Sequence, residues 1–145
     1  SSSNGSGGTG TTTTYYGGYI RLVNGKSPSY KCTNSSDLYT VSGSSKGNKA
    51  LDYPIGLITA DEVAYAGGVY GTINEGYYLY TKQTYWTMSP YYYSNGWANV
   101  FYVSSGGRLY YGSVSSGFGV RPVINLSANV KVKSGNGTSS TPYEI

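Results

Sequence analysis

Histidine is absent from the 145-residue chain, which excludes His-based triads, imidazole acid–base catalysis and His-ligated metal sites. Cysteine is almost absent. Cys32 stands alone, so no intrachain disulfide and no thiolate metal site can form. Charged residues make up only 11% of the chain and are unevenly signed: Asp37, Asp52, Asp61, Glu62 and Glu75 precede residue 76, and the next acid is Glu144. Calcium sites need several oxygen ligands, usually carboxylates, and that long stretch offers none. No apolar run approaches the roughly 20 residues of a membrane span. A first residue that is Ser rather than Met, with no visible leader or anchor, reads as a processed or trimmed piece of a longer protein.

What is abundant is Gly (22) and Tyr (19), together with Ser, Thr and Asn. That balance is foreign to a cytosolic helical enzyme and suits a β-rich protein working outside the cell. The length fits one domain with one core. Lys82, Arg108, Arg121, Lys131 and Lys133 are the charges of residues 76–143, a field that favours anionic partners. They are scattered rather than clustered, so no nucleic-acid footprint is read, and solubility accounts for them.

Along the chain, residues 1–14 form a Gly/Ser/Thr tract that reads as a flexible linker, 15–133 as a single domain and 134–145 as a turn-rich tail. Tyr19–Val23 reads as a strand, with Asn24-Gly25 turning it into a hairpin toward residues 30–33. Residues 42–50 read as polar loop. Thr59-Ala-Asp-Glu62 is a capping box: the Thr59 hydroxyl accepts from the Glu62 amide while the Glu62 carboxylate accepts from that of Thr59. Ile58 and Val63 staple that turn and Gly67-Gly68 stops it, giving a helix over about 60–66. Asp61 and Glu62 are thereby assigned to the helix start rather than to catalysis.

From Tyr77 the pattern is β: 77–81, 85–88, 97–103 and 108–111 are short aromatic or β-branched runs between turn residues. Phe118, Val120, Pro122, Ile124 and Leu126 alternate with Gly119, Arg121, Val123 and Asn125, the pattern of a strand with one buried face and with Pro122 at an edge or bulge. Val130 and Val132 alternate with Lys131 and Lys133 in the same way.

Cys32 lacks an activating base and reads as a small hydrophobe or an orphaned disulfide half. Gly67-Gly68 and Gly106-Gly107 lack the strand-to-helix setting of a phosphate loop. Asn34, Asn125 and Asn136 head glycosylation sequons, which such a Ser/Thr-rich chain produces by chance. No cofactor or metal is expected. The runs 91–97 and 108–113 instead have the composition of antibody paratopes, in which Tyr supplies rigid amphipathic contact area and Ser, Gly and Asn adapt. Tyr91, Tyr92, Tyr93, Asn95, Tyr110 and Ser113 are accordingly the candidate ligand-binding residues, placed in or beside loops. Trp97 and Tyr102 are expected to pack as cross-strand aromatics. Thr59, Glu62, Trp86 and Arg121 are expected to be structural, with Arg121 bridging backbone carbonyls or Asp61 and Glu62.

Tyr85-Trp-Thr-Met-Ser-Pro90, followed by Gly119-Val-Arg-Pro-Val123, resembles a domain of bacterial surface proteins. More distantly it resembles the C-type-lectin-like fold of formylglycine-generating-enzyme relatives and retroelement-diversified variable proteins. The resemblance covers about residues 53–126. It implies an α+β, β-rich C-type-lectin-like fold with a scaffold strand at 119–123 and a display region at 91–116. It further implies an extracellular adhesion or ligand-binding role, bacterial or phage, with a glycan or protein receptor on another cell surface as partner. The calcium carboxylates of true C-type lectins and the paired cysteines of the formylglycine enzymes are missing, so neither activity carries over. Similar domains occur on pilin-like proteins, and the alternative is a homo-oligomeric subunit of an extracellular filament.

Overall fold

A computed structural model describes residues 13–31, 52–53, 55–124, 126–138 and 140–145. The capping box starts a helix, α2 (Ala60–Tyr65): the Thr59 hydroxyl accepts the Glu62 N–H at 3.1 Å, and the Glu62 carboxylate accepts the Thr59 N–H at 2.7 Å. Val63 is fully buried on its inner face, and Gly67 ends it at φ +115. Asp61 faces inward too, and its partner decides the next element. Arg21 donates to both Asp61 oxygens, from Nε at 2.8 Å and Nη2 at 2.6 Å, while the Ser29 N–H donates at 2.9 Å.

Arg21 reaches Asp61 from a helical segment, not from the strand expected over 19–23. A short α-turn, α1 (Gly17–Tyr19), runs into a π-helical turn over Ile20–Asn24. Tyr19, Leu22 and Val23 stand at i, i+3 and i+4 and pack on the core, with Leu22 6% exposed. That spacing is a helical face, and it overrode the β-propensity of the residues. Asn24-Gly25 closes no hairpin: the Gly25 N–H bonds the Ile20 carbonyl and Ser27 N–H the Arg21 carbonyl, capping the turn. Tyr30 and Lys31 are not in a strand, and 32–33, like Cys32, Asn34 and the 42–50 loop, lie outside the described residues.

The main sheet is antiparallel and four-stranded, in the order β1 (Thr14–Tyr15), β3 (Tyr85–Ser94), β4 (Trp97–Val103), β5 (Leu109–Ser113). Thr14, assigned to the linker, is buried opposite Tyr93, and linker residues 1–12 lie outside the description. Asn95-Gly96 joins β3 to β4 with both residues at positive φ, 45 and 84, the signs of a type I′ hairpin turn. Tyr85, Val103 and Leu109 share one row and Phe101 and Tyr111 another, and with Tyr91, Leu22, Ala60 and Val63 the buried members form the core. The register shifts around Pro90 and again before Tyr92, so the proline sits where the β3 ladder is irregular. At the outer edge of β5, Leu109 exchanges hydrogen bonds with Val69 and Gly71.

A second sheet pairs β2 (Ile55–Leu57) with β6 (Pro122–Ile124), matching Ile55 with Ile124. Together with two short helices this is a β-rich α+β arrangement. Three sequence expectations change. Residues 77–81 are a turn held by the Tyr80 N–H on the Tyr77 carbonyl. Val130 and Val132 are exposed and outside any strand. In the 118–126 run only β6 is a strand, and the face expected to be buried is the open one: Val120 is 71% and Ile124 60% exposed. In the tail, Ser134 bridges Glu144. Among the described residues no helix is long and apolar enough to cross a membrane.

Candidate functional site: an aromatic band on the main sheet

The central tyrosines lie in strands, not loops, and they differ in burial where the β3 ladder is irregular. Tyr91 was expected at the binding surface but is 5% exposed and belongs to the core. Its ring stacks on Tyr111 at 4.1 Å and meets Phe101 edge-on at 4.8 Å, and its hydroxyl lies 2.7 Å from that of Tyr70. Tyr92 and Tyr93 are half-buried, their outer parts open. Tyr110 and Ser113 are half-buried on β5, and Asn95 is exposed at the hairpin tip.

The structure brings some of these together. Tyr92 and Tyr110 both pack on Tyr111, with ring centroids 5.9 and 4.9 Å away. Tyr15 packs on Tyr92 at 6.0 Å, and Tyr70 stacks on Tyr110 at 5.6 Å. Asn99 lies opposite both Tyr92 and Ser113, so these three share a row across β3, β4 and β5. The result is a band of ring contacts from β1 to the β5 edge. Asn95 lies apart from it, beside Trp97. Trp97, expected to pack as a cross-strand aromatic, is instead 64% exposed at the start of β4, the first residue after the turn. Tyr102 behaves as expected, packing edge-on against Trp86 at 6.1 Å.

Sequence reasoning missed Tyr15, Tyr70, Tyr111 and Arg108. Tyr111 and Arg108 stood within the 108–113 run already singled out, but Tyr15 and Tyr70 join only through tertiary packing. The Arg108 guanidinium lies 4.5 Å over the Tyr110 ring, and among the described residues its buried Nε has no hydrogen-bond partner. Burial pushes the hydroxyls of Tyr91, Tyr70 and Tyr111 above the usual tyrosine value; the Tyr70 contact raises Tyr91 further, and the Tyr110 neighbour raises Tyr111 further. These hydroxyls therefore stay protonated at neutral pH as neutral donors and acceptors.

The residues expected to be structural divide differently. Thr59 and Glu62 form the cap described above. Trp86 packs on Phe118 at 4.5 Å. Arg121 does bridge a backbone carbonyl, donating from Nη1 to the Leu79 oxygen at 3.0 Å with its guanidinium 5.4 Å over the Tyr85 ring. It does not meet Asp61 or Glu62, which are engaged by Arg21 and Thr59. A cleft of about 270 Å³ between Leu22, Lys26, Ala64 and Leu109 reaches the band at Tyr70. Among the described residues no three Cys, Asp or Glu side chains gather. The band offers ring surface, hydroxyls and one guanidinium, which is the chemistry of binding. No protein-family model, curated protein or solved structure matches the chain.

Proposed function

We propose that the chain is an extracellular, non-enzymatic ligand-binding domain of C-type-lectin-like organisation that takes a glycan or protein receptor on its aromatic band. The observation that carries this reading is the chain of ring contacts Tyr15–Tyr92–Tyr111–Tyr110–Tyr70, half-open to solvent and anchored from below by buried Tyr91. Rings fixed by one another lose little entropy on binding, and tyrosine hydroxyls can both donate and accept hydrogen bonds. Glycan-array and cell-binding assays of the parent, Tyr92→Ala and Tyr110→Ala test it. One of the two truncations should weaken binding by about 2 kcal/mol or more, whereas Lys131→Ala, in the exposed 126–138 segment, should leave it unchanged. Folded variants that bind like the parent refute it.

A second observation favours the filament alternative. Ile55, Val120, Ile124 and Leu126 are all more than half exposed around the small sheet, and a two-stranded sheet is marginal alone. Sedimentation and electron microscopy decide this reading. Polymers dispersed by Ile124→Lys support it; a monomer at every concentration counts against it.

A further inference from the structure

The chain has three arginines, and two are committed within the fold: Arg21 to the Asp61 carboxylate and Arg121 to the Leu79 carbonyl. Arg108 is not. Among the described residues it meets no carboxylate, and its buried Nε finds no acceptor. In sequence the nearest acids are Glu75 and Glu144, and no ion pair joins either to it among the described residues. Yet the residue is firmly placed: its N–H bonds the Ser104 hydroxyl at 3.1 Å and its carbonyl the Ser104 N–H at 2.9 Å, beside the tight turn at Gly107. Its guanidinium carbon sits 4.5 Å from the Tyr110 ring centre, and Tyr110 is in turn stacked on Tyr111 and Tyr70. A guanidinium fixed on an aromatic stack and left without an anion keeps its fork of terminal donors for a planar anion from outside.

We infer that Arg108 is the charge-reading residue of the aromatic band, and that the ligand class is a carboxylated saccharide bearing one negative charge per sugar, such as a uronic or sialic acid. This rests on the ligand-binding reading above. The carboxylate would pair with the Arg108 terminal amino groups, and the sugar's hydroxyls and C–H edges would meet the hydroxyls and rings of Tyr110, Tyr111 and Tyr92. A polyphosphate backbone fits less well, because it requires a track of cations and the band carries one.

The test is binding of the whole chain to alginate, hyaluronan and polygalacturonate oligosaccharides and to sialyl-lactose, each beside its carboxyl-reduced counterpart, with poly-glutamate as a sugar-free polyanion. The parent should bind at least one carboxylated sugar tenfold or more tighter than its reduced form and than poly-glutamate. Arg108→Gln should abolish that preference, Arg108→Lys should restore it in part, and both should melt within a few degrees of the parent. Equal affinity for carboxylated and reduced forms, or an unchanged preference in Arg108→Gln, overturns the inference while leaving a neutral-glycan site intact. Poly-glutamate binding as tight as the sugars shows charge alone at work and overturns it as well. If no saccharide binds and the Tyr92 and Tyr110 truncations change binding to no cell surface, the wider reading falls with it.

Discussion

Tyr91 and Tyr92 are adjacent and chemically identical, and the structure demands opposite responses from them. Tyr91 is 5% exposed and touches the rings of Tyr19, Tyr70, Phe101 and Tyr111. Truncation to Ala removes a whole aromatic ring from a packed site and strands the Tyr70 hydroxyl, a change that costs about 3–5 kcal/mol in comparable cores. With a domain of this size losing roughly 3 °C per kcal/mol, Tyr91→Ala should melt about 12 °C below the parent. Tyr91→Phe keeps the ring and loses only the 2.7 Å hydroxyl contact, so about 1 kcal/mol is expected. Tyr92→Ala, half-buried at the surface of the band, should cost about 1 kcal/mol. Urea titration and thermal melts followed by circular dichroism read all three. A Tyr91→Ala protein that melts with the parent would refute its placement in the core.

Among the described residues the buried Tyr77 hydroxyl meets no hydrogen-bond partner in good geometry, Tyr85 being its neighbour, so Tyr77→Phe should raise stability at neutral pH by about 1 kcal/mol, seen as a higher urea midpoint; a lower midpoint argues that the hydroxyl is satisfied. Burial, with the neighbouring Tyr85 adding to it, holds the Tyr77 hydroxyl well above its usual value, as burial does for Tyr91. A raised folded-state value means stability is fully present below about pH 10, where the unfolded tyrosine ionises, and is lost above it at about 1.4 kcal/mol per pH unit for each such residue. Urea midpoints from pH 9 to 11 should fall accordingly, less steeply in Tyr77→Phe, and flat midpoints contradict this. Thr59→Ala removes the helix cap and should cost about 1 kcal/mol by the same titration. Gly107 sits at φ +73 with the Asn74 carbonyl where a Cβ would be, so Gly107→Ala should cost more than about 3 kcal/mol, and a parent-like melt would show that the turn can move.

Where one segment contains its own reason for folding, the sequence could be read. The capping box needs only Thr59 and Glu62, three residues apart, whereas the Asn95-Gly96 hairpin turn lay in a segment placed in or beside loops. Asn24-Gly25 carries the same dipeptide with the opposite outcome. Its flank holds Tyr19, Leu22 and Val23 at helical spacing, and the residue that fixes the helical segment, Arg21, has its partner forty positions away at Asp61. A local reading saw β-branched and aromatic residues beside a turn. The candidate site divides the same way: its composition was visible in 91–97 and 108–113, but which tyrosine faced outward depended on where β3 shifts register before Tyr92.

The 118–126 run marks the limit of such reasoning most sharply. A period of two establishes that Val120, Pro122, Ile124 and Leu126 share a face; it is silent on whether anything lies against that face. Phe118 does find cover, packing on Trp86 and Tyr102 at 4.5 and 4.7 Å. Gly119 then bridges Tyr85 on the main sheet, and from Pro122 the chain pairs with β2, where Ile124 meets Ile55 and both stay more than half exposed. The less exposed positions are instead Arg121 and Val123, with the Arg121 guanidinium on the Leu79 carbonyl and over the Tyr85 ring. Arg108 differs from Arg121 in that its buried Nε finds no acceptor among the described residues and its guanidinium rests on the Tyr110 ring, which is why the proposed carboxylate is assigned to it.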